Sequence, residues 1–299
     1  MIDFQRFSLE KKEFYDAFLL RHGCRGCEYN FANLYMWGRQ NAAVVEGNLA
    51  FFSHFSGKSL YLFPVGDNDI KATLDRLMED AKKRGIAFRL TCVSDVERAL
   101  LEHWYPGRFH FHISRDNFDY IYDINDLADL KGRKFQKKRN HANRFDAEHP
   151  DCVFLPLSEE NLPLFREMFD LWFADHADSD IYMEQVAVKK ALEHWQELKM
   201  EGLVLVEGGK PLAVTMGSRL CDCTFDVHFE KALSSVDGAY AAINRAFARY
   251  LREKYPEVES LNREDDLGIE GLRKAKLSYN PVRLIEKSWA ALREDGYEY

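Results

Sequence analysis

Leu203-Val-Leu-Val-Glu-Gly-Gly-Lys-Pro-Leu-Ala-Val-Thr-Met216 sets two apolar runs on either side of Gly208-Gly209. A two-residue glycine turn between such runs reads as a β-hairpin. The first half holds the same device: Asn41 to Phe55 places apolar runs around Gly47-Asn48, so Val45-Glu46-Gly47 is echoed by Val206-Glu207-Gly208. Working outward from each hairpin, the same order of elements emerges. In the first half a strand (Asp3 to Phe7) precedes a helix capped by Ser8 with Phe14, Phe18 and Leu19 facing inward, then a short helix from Glu28 to Gly38 and the hairpin. A strand at Lys58 to Pro64, a helix from Asp69 to Arg84, a strand at Phe88 to Cys92, a helix from Asp95 to Trp104 and a closing pair, Phe109 to Ile113 with Phe118 to Tyr122, complete it. The second half runs strand (Cys152 to Leu157), helix with the stripe Leu162, Phe165, Phe169 and Trp172, helix (Glu184 to Lys199), hairpin, strand (Cys223 to Glu230), helix (Asp237 to Arg252), strand (Val258 to Asn262), helix (Leu267 to Leu277) and strand (Val282 to Lys287). The expectation is an α+β protein made of two similar domains, residues 1–125 and 151–299, joined by a helical linker at 126–150.

A chain of 299 residues with 46% apolar content suits two such cores. No run of eighteen apolar residues exists and the N-terminus lacks a signal-peptide pattern, which suggests a soluble, cytoplasmic protein. The six cysteines, including Cys24-x-x-Cys27 and Cys221-x-Cys223, read as reduced thiols. Their spacing is unlike a zinc motif, and no metal site is expected. Net charge is -8, but residues 131–144 hold seven Lys or Arg and no acid, leaving -8 - 7 = -15 elsewhere. In that segment Phe135, Ala142 and Phe145 form a narrow apolar stripe, and Lys134, Lys137, Lys138 and Arg139 lie outside it. It is either a solvated linker helix or a surface for tRNA phosphates or an anionic lipid headgroup.

Alternation along the strand from Cys223 puts Asp226, His228 and Glu230 on one face and Phe225, Val227 and Phe229 on the other. Three ionisable groups facing a dry core would each need a partner, so that face lines a cleft or is a solvated edge. In a cleft, His228 or Glu230 would serve as general base and Asp226 would touch substrate. Asn262-Arg263-Glu264 ends the next strand and would reach the same cleft, with Arg263 clamping an anion. Asp266 reads as the N-cap of the following helix, and Glu264 as a partner for Arg263. His110-x-His112 reads as an ordinary strand pair, and the aromatics from Tyr29 to Trp37 as packing.

The element order resembles the acyltransferase fold called GNAT, and two in tandem resemble the Fem-type peptidyltransferases. Phe135-Gln-Lys-Lys-Arg-Asn140, Val227-His-Phe-Glu-Lys-Ala232, Gly238-Ala-Tyr240 and Asn262-Arg-Glu-Asp-Asp-Leu-Gly-Ile-Glu-Gly-Leu-Arg-Lys-Ala-Lys276 are similar to proteins grouped with the C-terminal domain of phosphatidylglycerol lysyltransferase. That resemblance implies transfer of an activated carboxyl group from a phosphate-bearing donor, aminoacyl-tRNA or acyl-CoA, to an amine or hydroxyl. It makes Gly238 and Tyr240 the counterparts of a pyrophosphate-gripping loop, but Ser235-Val-Asp-Gly238-Ala-Tyr240 lacks the basic or amide first residue and the small last one. Aminoacyl-tRNA is therefore the preferred donor. Asp175, His176 and Asp178 fall in a loop that in such folds overhangs the acceptor. The alternative is a catalytically silent module that binds a polyanion.

Overall fold

In a computed structural model of the protein, residues 1–22, 26–55, 57–176 and 181–295 are described. The chain runs β1 (Gln5–Arg6), α1 (Lys12–His22), α2 (Phe31–Trp37), β2 (Gln40–Val45), β3 (Asn48–Phe55), β4 (Lys58–Val65), α3 (Ile70–Arg84), β5 (Arg89–Val93), α4 (Asp95–Trp104), β6 (Phe109–Ile113) and β7 (Asp119–Asp123). It continues through α5 (Ile124–Asp129), α6 (Gln136–Glu148), β8 (Val153–Pro156), α7 (Leu162–Asp175), α8 (Tyr182–Glu193), β9 (Glu201–Glu207), β10 (Lys210–Cys221), β11 (Thr224–Ala232), α9 (Ala239–Lys254), β12 (Ser260–Asn262), α10 (Glu270–Leu277), β13 (Arg283–Ile285) and β14 (Ser288–Leu292).

Among the described residues there are two seven-stranded sheets, ordered β1-β2-β3-β4-β5-β14-β6 and β8-β9-β10-β11-β12-β7-β13. They match strand for strand. Each begins with an antiparallel meander followed by a parallel pair, β4 with β5 and β11 with β12. Next to that pair each sheet takes a strand from the far end of the other half: β14 pairs antiparallel with β5, and β7 pairs antiparallel with β12. The duplication expected from the two hairpins is present, but its strands are exchanged. The expected pairing of Phe109–Ile113 with Phe118–Tyr122 is corrected accordingly, since β6 pairs with β14 and β7 with β12.

One of the two compact units is consequently discontinuous, Met1–Asp119 with Ile285–Tyr299, and the other, Tyr120–Leu284, is inserted within it in the chain. They differ from the contiguous 1–125 and 151–299 of the sequence reading. In the first unit β3 shows why both faces of the sheet are covered. Ala50 and Phe52 point to a core shared with Leu74, Leu77 and Ala81 of α3, whereas Phe51 stacks near Phe7 and Tyr29 on the other side. Helix α3 starts where the Asp69 side chain accepts from Ala72 N, and α4 starts in a full capping box between Ser94 and Glu97. Ser8 makes no side-chain cap, and Phe14 is exposed while Tyr15 and Leu19 are buried.

In the second unit α9 covers one face of the sheet. Phe225, Val227, Leu205 and Ala213 pack with Ile243 and Phe247. On the other face Phe169 of α7 meets Phe229 edge-on at 5.8 Å. The basic helix α6 is part of this unit and not a linker. Phe145 is buried in the α9 core, and Arg245 of α9 holds Asp146 at 2.7 and 2.8 Å. Gly238, with φ +83°, makes the contact between these helices possible: a Cβ there would lie 2.8 Å from the His141 carbonyl oxygen.

Candidate active site

The face shared by Asp226, His228 and Glu230 in the sequence reading is divided by the structure. In the β10–β11 ladder Met216 faces Phe229 and Gly217 faces Val227, so His228 is an extra, bulged residue. A glycine is needed opposite it, because a Cβ on Gly217 would lie 2.2 Å from the Asp226 carbonyl oxygen. The bulge breaks the alternation, and the three groups fall into two clusters.

In the first cluster His228 Nε2 lies 2.8 Å from Ser218 Oγ, and Nδ1 lies 3.1 Å from a Glu264 oxygen and 3.7 Å from Asp226. Serine, imidazole and carboxylate in line resemble a nucleophile-activating triad. Ser218 is only 3% exposed, however, and His228 8%. The arrangement is a buried polar network that fixes the end of β12. Glu264 partners His228 and not Arg263, and Asn262 accepts from Glu264 N at 2.8 Å, holding the turn in which Glu264 has φ +55°.

The second cluster gathers Glu230, Arg263 and Lys138. Arg263 Nη2 donates to Glu230 Oε1 at 2.7 Å, and Asn244 of α9 donates to the other Glu230 oxygen at 3.0 Å. The guanidinium carbon is 5.4 Å from the Tyr122 ring centre and 4.8 Å from that of Tyr279. Lys138 Nζ is 4.1 Å from the same Tyr279 ring. Burial disfavours the Arg263 charge, but Glu230 together with Tyr122 and Tyr279 outweighs it and the guanidinium pKa is raised. For Lys138 burial and then the like charge of Arg263 dominate, and its pKa is lowered to about 8. Burial pushes the Tyr122 and Tyr279 hydroxyls upward. Arg263 Nη1 and Asn244 Oδ1 are buried with no hydrogen-bond partner among the described residues. Native interiors rarely leave such groups unsatisfied, so a donor and an acceptor stand open beside an ionised pair.

A second set of bonds supports Arg263. Lys276 is 8% exposed and its ammonium donates to the Arg263 and Asp265 carbonyls, while Tyr122 donates to the Lys276 carbonyl at 2.8 Å. Asp266 is not the helix cap expected of it: α10 starts after Ile269 with no side-chain cap. Asp266 is fully buried and accepts from Tyr120 at 2.5 Å and from Arg273 at 2.8 and 2.9 Å. Burial would raise its pKa, but Arg273 and Tyr120 hold it well below the usual carboxylate range.

The remaining candidates are dispersed. Lys134 pairs with Asp126 at 2.7 Å, and Arg139 donates to the Leu130 and Gly132 carbonyls, closing the end of α5. Lys131 meets Asp129 at 2.9 Å and Arg144 meets Asp237, so acids outside the run neutralise much of it. Lys137 is exposed. Gly238 serves the packing of α6 on α9, and Tyr240 is 43% exposed. His176 stacks on Trp172 at 3.9 Å, with Lys231 Nζ 3.7 Å from that indole, and Asp175 is exposed. Asp178 lies outside the described residues. Cys27, Cys92, Cys152 and Cys223 carry reduced thiols, and Cys24 lies outside the described residues. Sequence reasoning missed Tyr122, Tyr279, Asn244 and Ser218. The sequence reading pairs the strand of Tyr122 with Phe109–Ile113 and so keeps it away from β12, and no local pattern singles out Tyr279.

No helix among the described residues is long and apolar enough to cross a membrane. The family model described as phosphatidylglycerol lysyltransferase, C-terminal, matches residues 21–291. A crystal structure of a conserved protein of unknown function from Bacteroides thetaiotaomicron is 40% identical, covers 98% of this chain and 100% of its own, and superposes with a TM-score of 0.93. L-PGS from Bacillus licheniformis shares the fold at 17% identity, with 99% and 95% coverage and a TM-score of 0.71. FemX shares it at 12% identity, 85% and 87% coverage and a TM-score of 0.56. An uncharacterized protein of Mycoplasmoides gallisepticum is 22% identical over 202 residues, a stretch that spans 65% of this chain and 63% of that relative. With its two strand-exchanged mixed sheets in the tandem GNAT-like arrangement, this chain belongs to the phosphatidylglycerol lysyltransferase C-terminal family.

Proposed function

We propose that this protein transfers an aminoacyl group from a phosphate-bearing donor to an amine or hydroxyl acceptor at the Glu230–Arg263–Lys138 cluster. The observation that carries the reading is the buried, unpartnered Nη1 of Arg263 next to a lysine whose pKa is lowered to about 8. In such a transfer the acceptor nitrogen or oxygen attacks the ester carbonyl, the C–O bond to the donor breaks, and one proton passes from acceptor to leaving oxygen. Arg263 Nη1 would donate to the oxyanion that develops on the carbonyl, a preformed contact in a site shielded from water. Lys138, with a pKa near neutrality, suits the proton transfer. Glu230 is bonded to Arg263 and Asn244, so its role is to hold the guanidinium in place and not to act as the base. His228 acts through Glu264 by holding the turn that carries Arg263.

Aminoacyl-tRNA fits better than acyl-CoA. The N-terminus of α9, where a pyrophosphate would sit in an acyl-CoA enzyme, is packed by the His141 to Phe145 turn of α6, and Asp237 beside it is acidic. Donor phosphates or a lipid headgroup would meet the exposed Lys137 of α6 and Arg133 in the turn just before it. The rival reading of a silent polyanion binder has less support, because Lys131, Lys134, Arg139 and Arg144 are already engaged.

The test is transfer of labelled amino acid from charged tRNA, and of acyl groups from acyl-CoA, to soluble amines and to phosphatidylglycerol vesicles. Wild type should transfer from charged tRNA, and Arg263→Lys and Lys138→Met should each lose roughly 100-fold with an unchanged fold. Unaltered rates in both variants would remove this cluster from the chemistry.

A further inference from the structure

Among the described residues, three groups of metal-ligating side chains have donor atoms within 4.8 Å of one another: Cys27, Glu28 and Asp119; Asp226, His228 and Glu264; and His149, Cys152 and Glu207. The first already contains a cation. Lys287 Nζ sits 2.6 Å from Asp119, 2.7 Å from Glu28 and 3.6 Å from the Cys27 sulfur. In the second, both ring nitrogens of His228 are hydrogen-bonded and the histidine is closed off from solvent. Only the third combines a nitrogen, a sulfur and a carboxylate with access to solvent and no basic side chain among its contacts, since all three residues are half-buried.

We infer that His149, Cys152 and Glu207 form a mononuclear site for zinc(II), with a fourth position open to water. The donor set fits a borderline-soft cation: imidazole, thiolate and carboxylate are the ligand types zinc takes, and three protein ligands plus solvent make a tetrahedral site. The backbone brings them together independently of any metal. His149 ends α6, and Cys152 N donates to its carbonyl at 3.2 Å in the turn that leads into β8. Val153 then pairs with Val206, which places Glu207 of β9 beside the turn. His149 is oriented before binding, because its ring stacks on buried Phe145 at 4.6 Å and 22°. Its Nδ1 lies 3.0 and 3.1 Å from the two Glu207 oxygens, a separation that a cation between them would widen slightly. The pattern His-x-x-Cys followed by a distant Glu has no recognisable spacing in sequence, because the third ligand comes through strand pairing. Bound zinc would tie the C-terminal end of α6 to the sheet, stiffening the helix that carries Lys138.

The experiment uses the full chain, stripped with chelator and titrated calorimetrically with zinc chloride, and in parallel with cobalt(II), whose thiolate bond absorbs in the near ultraviolet. One equivalent should bind, with the cobalt–thiolate band present in wild type and in Cys223→Ser. Cys152→Ser should abolish the band, and His149→Ala and Glu207→Gln should weaken zinc at least about tenfold while circular dichroism stays unchanged. Absence of saturable binding by wild type, or binding and absorption retained in Cys152→Ser, would overturn the assignment. The readout is independent of transferase activity.

Discussion

Glu230 and Arg263, 33 residues apart in the chain, meet at 2.7 Å with side chains only 10% and 12% exposed. Their positions come from two strands and a bulge, and Asn244 completes the carboxylate's bonds on the α9 side. A buried ion pair of this kind is costly to break from one side, because the surviving charge keeps its desolvation penalty.

Glu230→Gln should therefore destabilise the protein by roughly 3 kcal/mol, and adding Arg263→Met should recover part of that loss. Urea unfolding of the two single variants and the double variant measures the coupling. Additive losses would mean that the two side chains do not stabilise one another.

Lys138 should make stability depend on alkaline pH. Its pKa is lowered from 10.5 to about 8 in the folded protein, so between those values the unfolded chain binds more protons. Stability then rises with pH across that window, and the cost of the buried ammonium is fully present below it. Wild type minus Lys138→Met, compared by denaturant unfolding at pH 7 and pH 10, should show the wild type gaining. The same titration should weaken binding of an anionic substrate above about pH 8.

Asp266 shifts in the same direction, but here the lowered pKa reflects a favoured charged form, so it stabilises the protein at neutral pH. Its depressed pKa contributes stability above the unfolded value of 3.8, and that contribution is lost as pH falls through the folded value. Asp266→Asn should cost roughly 2–4 kcal/mol at pH 7 by stranding Arg273 and Tyr120. Its acid unfolding profile should be flatter than that of wild type below about pH 4. Thermal melts over a pH series decide it.

Gly238→Ala should cost roughly 1–3 kcal/mol, because the backbone there has φ +83° and the new methyl would press on the His141 carbonyl. A larger effect on transfer than on the melting temperature would show that displacing α6 moves Lys138.

The local signals in the chain are strong where the physics is local. The Gly208-Gly209 turn, the Asp69 and Ser94 caps, and the apolar stripe of Phe135, Ala142 and Phe145 all form as their residue types dictate, whereas the first hairpin turns one residue earlier than Gly47-Asn48, at Glu46-Gly47, with Asn48 paired to Val45. Asn262 and Arg263 are legible as the polar end of β12, a strand that lies inside its sheet between β11 and β7. The division of Asp226, His228 and Glu230 was not legible. A single bulged residue reverses the side-chain alternation, and the space for it depends on Gly217 in the neighbouring strand.

The sequence by itself determined the duplicated order of strands and helices, because periodicity, turns and caps act within a few residues. Only the tertiary structure decided which strands exchange between the sheets, which acids quench the basic helix, and which charge Arg263 keeps. Those pairings join residues distant in the chain, and their energies come from burial and strand register, which no short window of sequence contains.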